Sequence, residues 1–291
     1  MNYQWYPGHM TRAKRMMQEN IGLIDLVIEL VDARIPLSSR NPDIDELGRN
    51  KARLILLNKS DLADDKANKL WMNYFQNQGF HVLEINARSG QGLRAIQGMV
   101  REACREKTER DRKRGIRNRP VRAIVVGIPN VGKSTFINSY AGKACTRTGN
   151  KPGVTKGKQW IRLNRELELL DTPGILWPKF ESEEVGRNLA LIGSMNDEIL
   201  QMTELAADLI AYLLIHYRGA LFARYQIGQD ENSADLTPLL VLQHVCEIRK
   251  CYKKGQEADY EKAAAAVMDD FRSGRIGRIT LELPDEKQSK E

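Results

Sequence analysis

One nine-residue stretch constrains this chain more than any other: Gly127-Ile-Pro-Asn-Val-Gly-Lys-Ser-Thr135. It carries the spacing G-x-x-x-x-G-K-[ST], with Gly127, Gly132, Lys133 and Ser134 at the fixed positions. Its flanks supply the context the motif needs. Val121 to Val126 is apolar and β-branched, as a buried strand is, and Thr135 to Ala141 continues as a helix. A strand, a glycine-rich turn and a helix N-terminus in that order aim successive amide N–H groups at negative charge, so the stretch reads as a phosphate cradle. Within it Lys133 reaches the β- and γ-phosphates and the Ser134 hydroxyl ligates Mg2+, while Asn130, Val131, Gly132 and Thr135 complete the loop. A plain glycine-rich turn accounts for the glycines but not for strand, Lys-Ser pair and helix together.

The residues before this loop alternate between strand-like and helix-like segments. Ile24 to Val31, Arg53 to Leu57 and Phe80 to Ile85 read as buried strands. Asp65 to Gln78 reads as a helix, and another opens at Gly90-Gln-Gly92 and reaches about Cys104. Arg105 to Arg119 holds eight Lys/Arg against three acids with no apolar periodicity, and reads as a solvated linker or helix end. Gln159 to Leu163 and Glu166 to Leu170 form an antiparallel pair. The expected fold is α/β: a mostly parallel sheet flanked by helices. From Leu200 to Tyr217, Pro238 to Arg249 and Tyr260 to Phe271 the apolar residues follow a three-four spacing, which predicts a small all-α C-terminal unit. The expected division is 1–180, with an N-terminal extension 1–20 and the basic linker 105–119; then a helical unit 181–283; then an unstructured tail 284–291.

A second motif sits where such folds present ligand loops, directly after a buried strand. Asn58-Lys59-Ser60-Asp61 offers what guanine requires. Asp61 accepts the N1–H and N2–H2 donors, Asn58 supplies an amide beside the purine, and Lys59 lays its aliphatic stem along the ring. Adenine lacks that donor pair and leaves a buried aspartate unpaired, so ATP is rejected. Alone, N-K-x-D is common by chance, with a helix-capping Asp61 as the ordinary alternative. Combined with the phosphate loop and Asp171-Thr-Pro-Gly174 it points to GTP.

Charge and cysteine usage narrow the class further. The net charge is +7, and residues 1–184 carry 32 Lys/Arg against 21 Asp/Glu. A basic N-terminal two-thirds suggests a polyanionic partner, with nucleic acid the first candidate, against solvated charge with no partner. No run of eighteen apolar residues occurs, so no membrane contact is expected. Aromatic and polar residues stand where a signal peptide needs an apolar core, so a cytoplasmic location is expected. Cys104, Cys145, Cys246 and Cys251 show no zinc spacing and read as free thiols.

The motif order is inverted relative to most GTPases: the base motif comes first and the phosphate loop after it. The chain resembles the circularly permuted GTPases, in particular the bacterial ribosome biogenesis GTPase A (YlqF-type) family. The resemblance takes in Trp5-Tyr-Pro-Gly-His-Met10, Asp32-Ala-Arg34, the inverted order and the helical C-terminal third. It implies GTP hydrolysis coupled to late assembly of the large (50S) ribosomal subunit, with rRNA as a partner of the helical unit; a monomer is expected. It also implies roles for single residues. Asn86 and Ala87 match the fifth motif, with the Ala87 N–H meeting guanine O6 and Asn86 in place of the usual serine. Asp171 and Thr155 join Ser134 around Mg2+, and the Gly174 N–H senses the γ-phosphate. Asn130 helps hold a K+. Ile175 stands where many GTPases carry a glutamine, so His9 is the first candidate to orient or deprotonate the attacking water. A competing reading keeps GTP as a structural ligand of an rRNA-binding module.

Overall fold

The computed structural model describes residues 15, 17–116, 119–145, 159–171, 182–228 and 236–284. Six strands form its centre: β1 (Leu26–Asp32), β2 (Ala52–Asn58), β3 (His81–Glu84), β4 (Val121–Val126), β5 (Gln159–Arg162) and β6 (Leu167–Asp171). They lie in the order β3-β2-β1-β4-β6-β5. All neighbours run parallel except β5, which closes one edge antiparallel to β6. β1 and β4 are the two central strands, and all seven residues of β1 are buried. Such a strand is covered on both faces, which explains the near-continuous apolar run LVIELVD.

The side-chain alternation of β2 shows what covers each face. Ile55 and Leu57 join a buried cluster with Trp71, Tyr74 and Phe75 of α2 (Asp65–Asn77). Leu54 and Leu56 join the larger cluster, with Ile96 and Val100 of α3 (Ile96–Ala103). Phe136 and Ile137, from the helix that follows the phosphate loop (Lys133–Ala141), belong to the same cluster. The short helix Pro42–Leu47 is started by Asn41, whose side chain accepts from the Asp43 N–H. Asp64 caps α2 through the Lys66 N–H in the same way.

The basic stretch expected as a linker is in part a helix, Arg105–Lys113. It has no apolar face, and side-chain pairs one turn apart replace one: Arg105 with Glu109 at 3.2 Å and Lys107 with Asp111 at 2.9 Å. Lys107 also reaches Asp25 at 3.1 Å, which ties the helix to the start of β1. The helix expected from Gly92 onward is a tight turn at Leu93–Ala95 followed by α3. The four cysteines are free, with Cys145 half-buried and the other three buried.

Past the sheet come helices Glu183–Leu191, Met202–His216, Arg218–Tyr225, Pro238–Arg249 and Tyr260–Arg272. The three-four spacing put three of these helices within two residues of their bounds, while Glu183–Leu191 and Arg218–Tyr225 were not expected. Leu205, Leu209 and Leu213 are fully buried, and they extend the larger sheet cluster without a break. No single described helix is long and apolar enough to cross a membrane. Asp270 is the polar centre of this region at 2% exposure. Its carboxylate accepts from Arg224 (2.8 and 2.9 Å), Arg249 (2.8 Å), Arg275 (2.7 Å) and the Tyr225 hydroxyl (3.1 Å). Burial alone would raise its pKa, but the surrounding guanidiniums, Arg224 foremost, hold it below the usual carboxylate value.

Asp270→Ala leaves Arg224 and Arg249 without a counter-charge, while Arg275 keeps Asp269. It is expected to lower stability by about 3–5 kcal/mol, the range for removing one partner of a buried ion pair. Urea unfolding followed by circular dichroism measures this, and a loss below about 1 kcal/mol would show the hub to be dispensable.

Candidate functional site

Parallel strands deliver their C-terminal ends to one side of the sheet, and the motif residues follow from that. Asp32 and Asn58 are register partners at the ends of β1 and β2. Asn86-Ala87 follows β3, and the phosphate loop follows β4. Asp171, the last residue of β6, lies in register with Val125, two residues before Gly127. The chain reverses its direction of travel across the sheet between β1 and β4, the place where open α/β sheets bind ligands. Four described loops far apart in the sequence therefore meet in one crevice.

Asn58 joins three of them. Its Nδ2 donates to the Val131 carbonyl at 2.7 Å, and its Oδ1 accepts from the Ala87 N–H at 3.0 Å. The side chain is 2% exposed, so the amide of the base motif is already spent on holding the loops together. Gly132 has φ +102°, and a Cβ there would stand 2.5 Å from Asn58 Nδ2. Glycine is required at this position for the approach of Asn58 as well as for phosphate. Lys133 is 7% exposed, and its ammonium donates to the Gly127 and Ile128 carbonyls at 3.1 and 2.9 Å. That ammonium is held over its own loop. Ser134 and Thr135 begin the helix that follows.

Lys59 takes the left-handed conformation, φ 58°, and its Nζ reaches Asp32 Oδ2 at 3.0 Å. Asp32 is fully buried and also accepts Arg34 Nε and Nη2, both at 2.8 Å. Burial would raise the Asp32 pKa, yet Arg34 and Lys59 hold it well below the usual carboxylate range. Burial also pulls Lys59 below the ordinary lysine value, against the opposing charge of Asp32. Ser60 is buried beneath the loop, its N–H on the Ile85 carbonyl at 3.2 Å. Asp61 is exposed. Asn86 Oδ1 accepts the Arg88 and Ser89 N–H groups at 2.9 and 3.1 Å, which shapes the turn that presents Ala87.

The C-terminal region holds both ends of this site, a feature with no signal in the motifs. At the phosphate end, Asn130 (φ 58°) donates its Nδ2 to the Gly193 carbonyl at 2.7 Å, and Ser194 Oγ donates to the Pro129 carbonyl at 2.8 Å. Arg272 secures that corner through the Leu191 and Ala190 carbonyls at 2.9 and 2.8 Å. At the base end, Arg278 donates to the Ser60 and Ala63 carbonyls, both at 2.8 Å. Arg34 lies over the Phe271 ring at 5.3 Å, which links the Asp32 cluster to the last helix. His9, Thr155 and Gly174 lie outside the described residues, as does the side chain of Asp171.

This assembly has relatives of known kind. A family described as "50S ribosome-binding GTPase" matches residues 122–240. The ribosome biogenesis GTPase A of Bacillus cereus is 46% identical over 98% of this chain and 95% of the relative. The chain belongs to the ribosome biogenesis GTPase A family. Further members include the protein of that name from Thermotoga maritima, 32% identical over 97% of this chain and 95% of its own length. Among solved structures, GNP-bound YlqF from T. maritima superposes with a TM-score of 0.64 at 28% identity, covering 94% of this chain and 99% of that one. GDP-bound TM YlqF gives 0.67 at 27% identity over 93% and 99%. The chain is thus a guanine-nucleotide-binding GTPase of ribosome biogenesis.

One titration is built into the clasp. The Glu282 carboxylate accepts from the Ser38 N–H (2.9 Å) and Oγ (2.5 Å), and also from the Leu37 N–H. Burial nevertheless pushes its pKa up to about 7 from an ordinary 4.5. A carboxyl with a raised folded-state pKa binds its proton more tightly when folded, so stability is greatest at low pH. It falls as pH rises from about 4.5 through 7 and is flat above. Melting temperatures between pH 5 and 8 are expected to show this fall, and Glu282→Gln to flatten it by roughly 1–3 kcal/mol. Parallel curves for the two proteins would contradict it.

Proposed function

We propose that the chain docks on a precursor of the large ribosomal subunit in its GTP state and leaves after hydrolysis. The observation that carries this reading is the Asn58 bridge. It fixes the base motif, the Ala87 loop and the phosphate loop into one crevice, so a single GTP spans Asp61 at one end and Lys133 at the other. The direct attachment of the Gly193–Ser194 corner to the phosphate loop supports the timing part of the reading. A loop that responds to the γ-phosphate then pulls on the helical region, 181–283, which serves as the ribosome-binding unit.

The donor set fits a magnesium nucleotide. Ser134 opens the helix and Asp171 ends the neighbouring strand, so these two residues are candidates to hold the ion, with Thr155 as the third. Mg2+ there would neutralise charge developing on the phosphates. The donor set also fits K+. Asn130 commits only its Nδ2, to Gly193, and its amide oxygen has no hydrogen-bond partner among the described residues. A monovalent cation on that oxygen would supply the positive charge that an arginine finger gives elsewhere. His9 is the candidate for orienting the attacking water, and the Gly174 N–H for sensing the γ-phosphate.

Replacing K+ by Na+ at equal ionic strength is expected to slow GTP turnover about tenfold or more, the scale of losing one transition-state charge contact. Equal rates in the two salts would remove the cation from the scheme. The docking cycle is tested by sedimenting the protein with large subunits in a non-hydrolysable GTP analogue or GDP, with turnover measured in parallel. Binding in the analogue, release in GDP and stimulation by large but not small subunits are expected. Nucleotide-independent binding without stimulation would favour an RNA-binding module with GTP as a structural ligand.

A further inference from the structure

At the end of the sheet opposite the nucleotide lies a cleft of about 1130 Å3. It is bounded by the helix Arg105–Lys113, the starts of β4 and β6, and the end of β5. β4 is six residues long, which puts roughly 20 Å of strand between this cleft and the phosphate loop. Every acid lining it is already matched. Glu166 holds Arg101 at 2.9 Å, Glu109 holds Arg105 at 3.2 Å, and Asp111 holds Lys107 at 2.9 Å. Arg112, Arg162 and Arg165 remain, all exposed and with no carboxylate in ion-pair range among the described residues.

Most arginines of the helical region are not available in this way. Arg224, Arg249 and Arg275 converge on Asp270, Arg272 holds Asp197 and two carbonyls, and Arg278 holds the base loop. Arg272, Arg275 and Arg278 are therefore structural. Arginines unpaired among the described residues stand instead at the far end of the sheet. Beside it stands an aromatic platform. Trp160 lies two residues before Arg162 on the edge strand, on the same side of the strand, and is 36% exposed. The Arg122 guanidinium lies 5.6 Å from the ring centroid.

We propose that this cleft is an RNA-binding site, with Arg112, Arg162 and Arg165 on backbone phosphates and an unpaired base stacked on Trp160. Arginines serve phosphate geometry in pairs and forks, and an exposed indole beside them suits a nucleobase; an acidic protein surface or an anionic membrane uses the charges but has nothing to stack. The choice of RNA rests on the ribosome-assembly reading. Because β4 separates cleft and nucleotide, this grip is the same in GTP and GDP, and nucleotide-dependent affinity comes from the other end of the molecule.

The test uses the full chain and a stem-loop fragment of large-subunit rRNA in fluorescence anisotropy across 50–300 mM KCl. The triple variant Arg112→Gln, Arg162→Gln, Arg165→Gln is expected to bind at least tenfold more weakly and to lower the log–log salt slope by about two to three. Trp160→Ala is expected to weaken binding about tenfold with the slope unchanged. Both should keep wild-type melting temperature, GTP affinity and unstimulated turnover, since none of these residues touches the nucleotide crevice. The losses should be equal in GDP and in a GTP analogue. Wild-type RNA affinity and slope in the triple variant would overturn the proposal. So would a triple variant that keeps RNA binding but loses binding to poly-glutamate or to phosphatidylglycerol vesicles. If the RNA losses appear while large subunits fail to stimulate the wild type, the assembly cycle falls and the cleft stands. Stimulation with RNA binding intact in the variants gives the opposite result.

Discussion

The site depends on one buried amide. Asn58 bonds the Val131 carbonyl on one side and the Ala87 N–H on the other, and no other described side chain bridges those two loops. In an inverted chain this matters more than usual. The base motif and phosphate loop lie on strands separated by β1, so their spacing is not enforced by sequence proximity. Either half of the pair left unmatched in the interior would be an unsatisfied buried polar group, and such groups are costly. Two demands therefore fall on the same residues. Gly132 must lack a side chain both for phosphate and for Asn58, and Asn58 must be an amide because it donates and accepts at once.

From this junction the rest of the molecule can be followed outward. Ser60 and Ala63 offer carbonyls to Arg278, while Pro129 and Asn130 are tied to Ser194 and Gly193. The last helix and the residues after it therefore touch the base end, and the segment after Leu191 touches the phosphate end. Burial supports the same conclusion, because one apolar cluster runs from β1 through Phe136 to Leu209 and Val267. A rearrangement of the phosphate loop cannot stay local in such a body. It must either break the Asn130–Gly193 and Ser194–Pro129 bonds or carry the helical region with it.

What was legible beforehand was set by periodicity and by motif spacing. Strands β1, β2 and β4 were clear as buried apolar runs, and Met202–His216 as a three-four helix. Lys133, Asn58 and Ala87 were placed by fixed spacing, and the sheet then brought them together. The helix Arg105–Lys113 was hidden because its stability comes from charge pairs instead of an apolar face. The second role of Asn58 was hidden too, since N-K-x-D reads as a base contact and says nothing of Val131. The contacts made by Ser194, Arg272, Arg278 and Glu282 left no trace, because a hydrogen bond to a distant residue imposes no pattern on its neighbours.

Net charge suggests a class of partner but is a poor map of where such a partner would bind. The excess of Lys/Arg in residues 1–184 is a sum, and a sum cannot separate cations already neutralised by a carboxylate from those facing water. Arg40 and Arg53 are spent on buried Glu29, and Arg34 on Asp32. In the helical region Asp270 alone absorbs three arginines. Long-range attraction for a polyanion comes only from the remainder, because a closely paired charge presents little field beyond a Debye length of about 8–10 Å. The pairing pattern, which only the folded chain reveals, therefore determines which face meets nucleic acid. Here it leaves the nucleotide crevice flanked by neutralised arginines and the opposite end of the sheet with unneutralised ones.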